Sequence, residues 1–74
     1  MAAFFYGKYV LLSRPYLDEK LGAWMPYASV SWHGDEKSHY RQFNELGKTF
    51  ATEEQALAYG FIVARRWIRE HQPD

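Results

Sequence analysis

His33, Asp35 and His39 bracket one polar turn, and their types come closest to a metal site. Imidazole and carboxylate both bind zinc, which needs three or four ligands held by supporting hydrogen bonds. Two histidines and one aspartate around a turn read as a solvated turn, and no metal is expected. A second constellation is cationic. Arg65, Arg66 and Arg69, together with Lys48, would offer charge to an anion or a nucleic-acid backbone. The same arginines near a helix end would also answer the helix dipole. A third constellation is aromatic. Tyr27 with Tyr6, Tyr16 or Tyr40 would make a platform on which bases stack. It would serve equally as sheet packing or as a dimer interface, where tyrosine is enriched.

Covalent and acid–base chemistry find little support. There is no cysteine, and Ser29, Ser31 and Ser38 lack the glycines of a nucleophile elbow. There is no phosphate-binding glycine loop and no pair of carboxylates in an evident cleft. A chain of 74 residues leaves little room for a deep pocket. A non-enzymatic protein without a cofactor is expected.

The elements that hold these residues must be few. A chain of this length is one domain over 1–74, near the size where a single core is marginal. Without cysteine neither a disulfide nor a thiolate metal site stabilises it. Aromatic residues, 19% of the chain, bury much area per side chain and compensate for the small core. Nine basic and nine acidic side chains give zero formal net charge, which argues against a strongly electrostatic nucleic-acid binder. The start, Met-Ala-Ala-Phe-Phe-Tyr, has no basic region and its apolar run breaks at Gly7-Lys8, so neither a signal peptide nor a membrane span is expected. A cytoplasmic protein is the expectation.

The segment from Phe50 to His71 is the helix. Thr52 followed three residues later by Gln55 is a capping box. Glu53 and Glu54 lie in the first turn, and Arg65, Arg66, Arg69 and His71 in the last two, as the helix dipole favours. Pro73 follows the expected end. At 100° per residue, Ala56, Gly60, Val63, Ala64 and Trp67 share one face, flanked by Leu57, Tyr59 and Ile68. Ala58, Ile62, Arg65 and Arg69 face the other way. Gly60 costs about 1 kcal/mol against alanine in a helix interior. The expected return is close approach of the helix to a sheet.

Three strands precede it. Phe4–Ser13 is rich in aromatic and β-branched residues, with Tyr9 and Leu11 facing one way and Val10 and Leu12 the other. Arg14-Pro15 ends it. Residues 15–22 form a loop with Asp18-Glu19-Lys20 at its tip. Ala23–Trp32 is the second strand, with Trp24, Ala28, Val30 and Trp32 alternating with Met25, Tyr27, Ser29 and Ser31. Pro26 delays regular pairing to about Tyr27. His33 to Lys37 is a turn with a Gly34-Asp35 hairpin signal. Ser38–Phe43 is the third strand, with His39, Arg41 and Phe43 opposite Tyr40 and Gln42. Asn44 to Lys48 is a loop. The expected fold is α+β: a three-stranded antiparallel sheet with one C-terminal helix on one face. Trp24, Val30, Trp32, Phe50 and Trp67 are the expected core.

Four stretches carry a resemblance: Tyr6-Gly7-Lys8-Tyr9, Gly22-Ala23-Trp24, Lys48-Thr49-Phe50-Ala51-Thr52-Glu53-Glu54-Gln55-Ala56, and Ala64-Arg65-Arg66-Trp67-Ile68. Together they resemble a set of small proteobacterial proteins that pair a Gly-x-Trp strand with a Thr-Phe, Glu-rich helix start and an Arg-x-Trp-Ile end. The resemblance spans most of the chain and implies no particular activity. At the level of fold alone, the chain is similar to three-strand-plus-helix DNA-binding modules: AP2-like domains and the arm-binding domains of tyrosine integrases. That likeness implies DNA read by the sheet face the helix leaves open. Here that face is thinly basic.

Two functions follow. The leading one is a non-enzymatic interaction domain that contacts a protein partner or a second copy of itself. The alternative is a nucleic-acid-binding module using the open sheet face, with Lys8 and Arg41 on phosphates and Tyr27 stacking. Arg65, Arg66 and Arg69 are further candidates for binding.

Overall fold

The computed structural model describes residues 2–44 and 47–71. Glu45 and Leu46 of the expected loop, and Pro73 as a helix stop, lie outside the described residues.

Three hairpins follow one another and a helix closes the chain. The first hairpin pairs β1 (Ala2–Tyr6) with β2 (Tyr9–Ser13). The expected single strand over Phe4–Ser13 is therefore two strands folded back on each other. Gly7 explains it: its φ of 60° lies in the left-handed region, and a two-residue loop needs that backbone to match the strand twist. The second hairpin, β3 (Tyr16–Asp18) with β4 (Ala23–Met25), replaces the expected loop over 15–22. Asp18 organises its turn, because Oδ1 accepts the Lys20 and Leu21 amides at 3.0 and 3.2 Å and the Asp18 carbonyl accepts the Gly22 amide at 2.8 Å.

The third hairpin joins β5 (Ala28–Gly34) to β6 (Lys37–Phe43). The expected second strand is thus divided at Pro26, which is buried between β4 and β5 and gives no amide to a ladder. Regular pairing begins at Ala28, close to the expected start. The turn centres on Asp35 and Glu36, with φ of 54° and 60°.

The architecture is α+β, with six strands in two antiparallel sheets rather than one sheet of three. The larger sheet runs β1-β2-β5-β6, so the first and third hairpins sit side by side with β1 and β6 at its edges. The β3–β4 pair is separate. Its link to the rest is a bridge between Trp24 and Phe50, each amide donating to the other's carbonyl at 2.8 and 2.9 Å. That bridge fixes the chain just ahead of the helix.

The helix α1 (Glu53–His71) starts as its capping residues dictate: Thr52 Oγ1 accepts the Gln55 amide at 3.2 Å. Ala56, Gly60, Ala64 and Ile68 are its buried residues, one every four positions. They lie on Tyr9 and Leu11 of β2 and Ala28 and Val30 of β5. Small helix residues bring the backbone close to the sheet, and Gly60 shows how close. A Cβ there would meet Ser13 Oγ at 2.5 Å.

Aromatic rings fill the wide end of the interface. Trp67 lies 5.4 Å from Trp32 and 6.1 Å from Phe43 between ring centroids, and Trp32 stands 5.5 Å from Tyr9. Val30 belongs to the core as expected, whereas Trp24, Trp32, Phe50 and Trp67 are half-buried. Leu11, Ala28 and Ile68 take the fully buried places. The reason is thickness: a helix held close by glycine and alanine leaves room for aliphatic groups beneath it, and the large rings spread to the flanks.

Candidate functional site

Register decides which side chains share a face. Leu11 pairs with Val30 and Val30 with Arg41, so all three point toward the helix. Arg41 therefore lies on the helix side of edge strand β6, its guanidinium 5.7 Å from the Phe43 ring centre. The open face carries Phe5, Val10, Leu12, Ser29, Ser31, Tyr40 and Gln42 from neighbouring strands. Arg14 and Tyr27 extend it: the Arg14 amide donates to the Tyr27 carbonyl at 2.8 Å and continues the β2–β5 ladder by one residue.

The expected nucleic-acid set is thereby dispersed. Tyr27 lies at one end of the open face. Lys8 lies at the other, in the first hairpin turn, where it borders Val10, Ser31 and His33. Six residues of β5 separate the two ends, roughly 20 Å at strand spacing. Arg41 is on the opposite face altogether. The arginines at the helix end are also divided. Arg65 borders Phe4, Leu11 and Phe61 on the β1 flank, and Arg66 borders Phe43 and Trp67 on the β6 flank. Arg69 is exposed, and Lys48 is held near the helix start, 5.3 Å from the Tyr59 ring centre.

The two histidines of the third hairpin point to opposite faces, since His39 pairs with Trp32 and His33 with Ser38. His39 stacks on Trp32 at 5.2 Å, nearly parallel, with Nε2 3.3 Å from the Gly34 carbonyl. His33 Nδ1 is 3.4 Å from Ser38 Oγ. Among the described residues no three His, Cys, Asp or Glu side chains gather to hold a metal.

One tyrosine pairing does form. The Tyr27 and Tyr40 hydroxyls are 3.5 Å apart, although their backbones are offset by four residues of register. The side chains therefore lean toward each other along the open face, and Ser29, between them in register, is 3% exposed. Gln42 Nε2 donates to the Tyr40 hydroxyl at 3.3 Å. The Tyr27 hydrogen bond, then the Gln42 amide, draw the Tyr40 phenol below the ordinary value of 10.0. The same bond, with burial, pushes Tyr27 above it. Arg14 is the guanidinium that acts on both phenols. Beside them Arg14, Pro15, Tyr16 and Tyr27 line an open cleft of about 560 Å³ at the foot of the second hairpin.

No known protein family, curated protein or solved structure matches the chain. Its chemistry is therefore read from its own surfaces. No helix among the described residues is long and apolar enough to cross a membrane.

Two features escaped sequence reasoning. Arg14, expected only to end a strand, follows Leu12 by two residues and so shares its face. Phe4 and Phe5, expected within one long strand, sit on an edge strand of their own. They are 58% and 75% exposed. The signal for the edge was Gly7, which allows the turn that makes it.

Proposed function

We propose that this chain is a non-enzymatic interaction domain that self-associates through the free edge of β1. The contrast between the two edges of the larger sheet carries the reading. On β6, Lys37, His39 and Arg41 put polar and charged groups on the helix side. Lysine and inward charge are the usual devices by which an edge strand resists further pairing. On β1 the sequence is Ala-Ala-Phe-Phe-Tyr, without charge or proline. Phe4 and Phe5 project to opposite faces of that edge, so a new neighbouring strand removes apolar surface from water on both sides.

The occupant is a second copy of the chain. Two β1 strands related by a two-fold axis pair antiparallel, each supplying the same side chains to the other, and the two larger sheets become continuous. A zero net charge sets no repulsion against it. A groove of about 150 Å³ lined by Phe4, Leu11, Phe61 and Arg65 borders the edge and receives an apolar side chain of the second copy.

Sedimentation velocity over a range of concentration tests the proposal. The expected result is a concentration-dependent dimer that Phe5→Lys converts to monomer. Ser38→Lys, on the already polar β6 edge, leaves the dimer intact. A chain that stays monomeric at millimolar concentration overturns the proposal, as does a Phe5→Lys variant that still dimerises.

A further inference from the structure

We infer that the Arg14–Tyr27–Tyr40 end of the open sheet face binds a nucleoside phosphate, with the phosphate on Arg14 and the base against the tyrosine rings. This is a second site, separate from the β1 edge, and it replaces the expected Lys8–Tyr27–Arg41 arrangement, whose members the fold keeps apart.

The chemistry of the lining supports a ligand that is both aromatic and anionic. Arg14 is exposed, and its guanidinium presents a planar fork suited to phosphate oxygens. Directly across the ladder stands Tyr27, and Tyr16 closes the cleft from the second hairpin. Tyr40 continues the aromatic surface beyond the cleft and is 59% exposed. Because the two phenols meet hydroxyl to hydroxyl across four residues of register, their side chains lean along the sheet instead of standing away from it. Exposed aromatic side chains along an open sheet face are the means by which sheet surfaces hold unpaired bases. The Gln42 amide and the tyrosine hydroxyls supply polar groups for a base edge. The cleft, about 560 Å³, is within the range of small-ligand sites and is open to solvent.

The ligand is either a free nucleotide or one unit of a single strand, and the test separates them. Amide-resolved NMR titrations would use uridine monophosphate, uridine, inorganic phosphate and an oligouridylate at low salt. The expected result is shifts at Arg14, Tyr27, Ser29 and Tyr40 with the monophosphate, and much weaker ones with uridine or phosphate alone. Arg14→Gln, which keeps the backbone bond to Tyr27, weakens binding by about tenfold or more, the scale of one charge-assisted contact. Tyr27→Leu weakens it comparably, and Phe5→Lys leaves it unchanged, which keeps this result independent of the dimer. Tighter binding of the oligomer identifies a strand as the ligand, and equal binding a free nucleotide. The inference is overturned if millimolar nucleotide and oligomer shift nothing at this end of the face. It is also overturned if Arg14→Gln binds as the parent does, or if the shifts fall only on Arg65, Arg66 and Arg69.

Discussion

Ser13 Oγ occupies the place that a side chain on Gly60 would need. The hydroxyl donates to the Leu57 carbonyl at 2.8 Å, and a Cβ on Gly60 would stand 2.5 Å from that oxygen. The Tyr27 carbonyl and the Ala28 Cβ close the same space at 3.3 and 3.4 Å. The helix thus gives up about 1 kcal/mol of propensity at this position and in return sits directly on β2 and β5. One serine fastens the two layers where they come closest.

Gly60→Ala is therefore expected to destabilise the fold by about 2 kcal/mol, as overpacking does, although alanine is the better helix former. Ser13→Ala loses one buried hydrogen bond, worth about 1 kcal/mol. Combined, the two changes cost less than their sum, because removing the hydroxyl makes room for the new methyl group. Urea unfolding of the four chains checks this. Strict additivity would show that the two residues do not share that space.

The third hairpin turn holds Asp35 and Glu36 with positive φ, which costs non-glycine residues roughly 1–2 kcal/mol each. Two such residues in a two-residue loop form the turn type that favours Asn-Gly. Glu36→Gly is expected to stabilise the chain by about 1 kcal/mol, read as a raised urea midpoint. Gly7→Ala goes the other way by a similar amount. Nothing lies within 4 Å of the position a Cβ would take there, so backbone strain is the whole cost.

Trp32 touches Tyr9, His39 and Trp67, and Trp67 in turn touches Phe43 and stacks on His71. Trp32→Ala is expected to cost about 3 kcal/mol and to remove most of the near-ultraviolet circular dichroism. Trp24→Ala, outside that group of rings, is expected to leave much of the signal. Equal losses from both would mean that the rings do not act as one cluster.

The phenol pair has a pH signature. Tyr40 has its pKa lowered, so the fold favours its phenolate. That contribution is absent at neutral pH, appears as pH rises through the Tyr40 pKa and is complete above the ordinary 10.0. Tyr27 has its pKa raised, so the fold favours its neutral form. That contribution is present up to 10.0 and is lost as pH rises through the Tyr27 pKa. On alkaline titration the Tyr40 Cζ resonance is expected to move before that of Tyr27, and Arg14→Gln raises the Tyr40 midpoint. If Tyr27 ionises first, the roles of the two hydroxyls are the reverse of those described.

The helix was legible because its signals are local. The Thr52 cap, the acidic first turn and the four-residue spacing of Ala56, Gly60 and Ala64 all lie within one segment. The alternation along each strand was legible for the same reason, since a period of two places Tyr9 with Leu11 and His39 with Arg41 wherever the strand goes, but which side of the first and third strands meets the helix was not. Gly60 announced close approach because an interior glycine costs a helix about 1 kcal/mol, which tight packing can offset.

Local signals thus suffice for an α+β chain, its C-terminal helix and the alternation along its strands. Which strands are neighbours emerges only from the folded chain. Gly7 permits a turn, but whether the chain folds back there depends on what β2 gains by pairing with β5. The same non-local pairing moved Arg41 away from Tyr27, brought Arg14 beside it and left β1 at an edge. Facing is set within a strand by covalent geometry, whereas register and edge position are set by partners distant in sequence. Both surfaces on which function is proposed belong to that second kind.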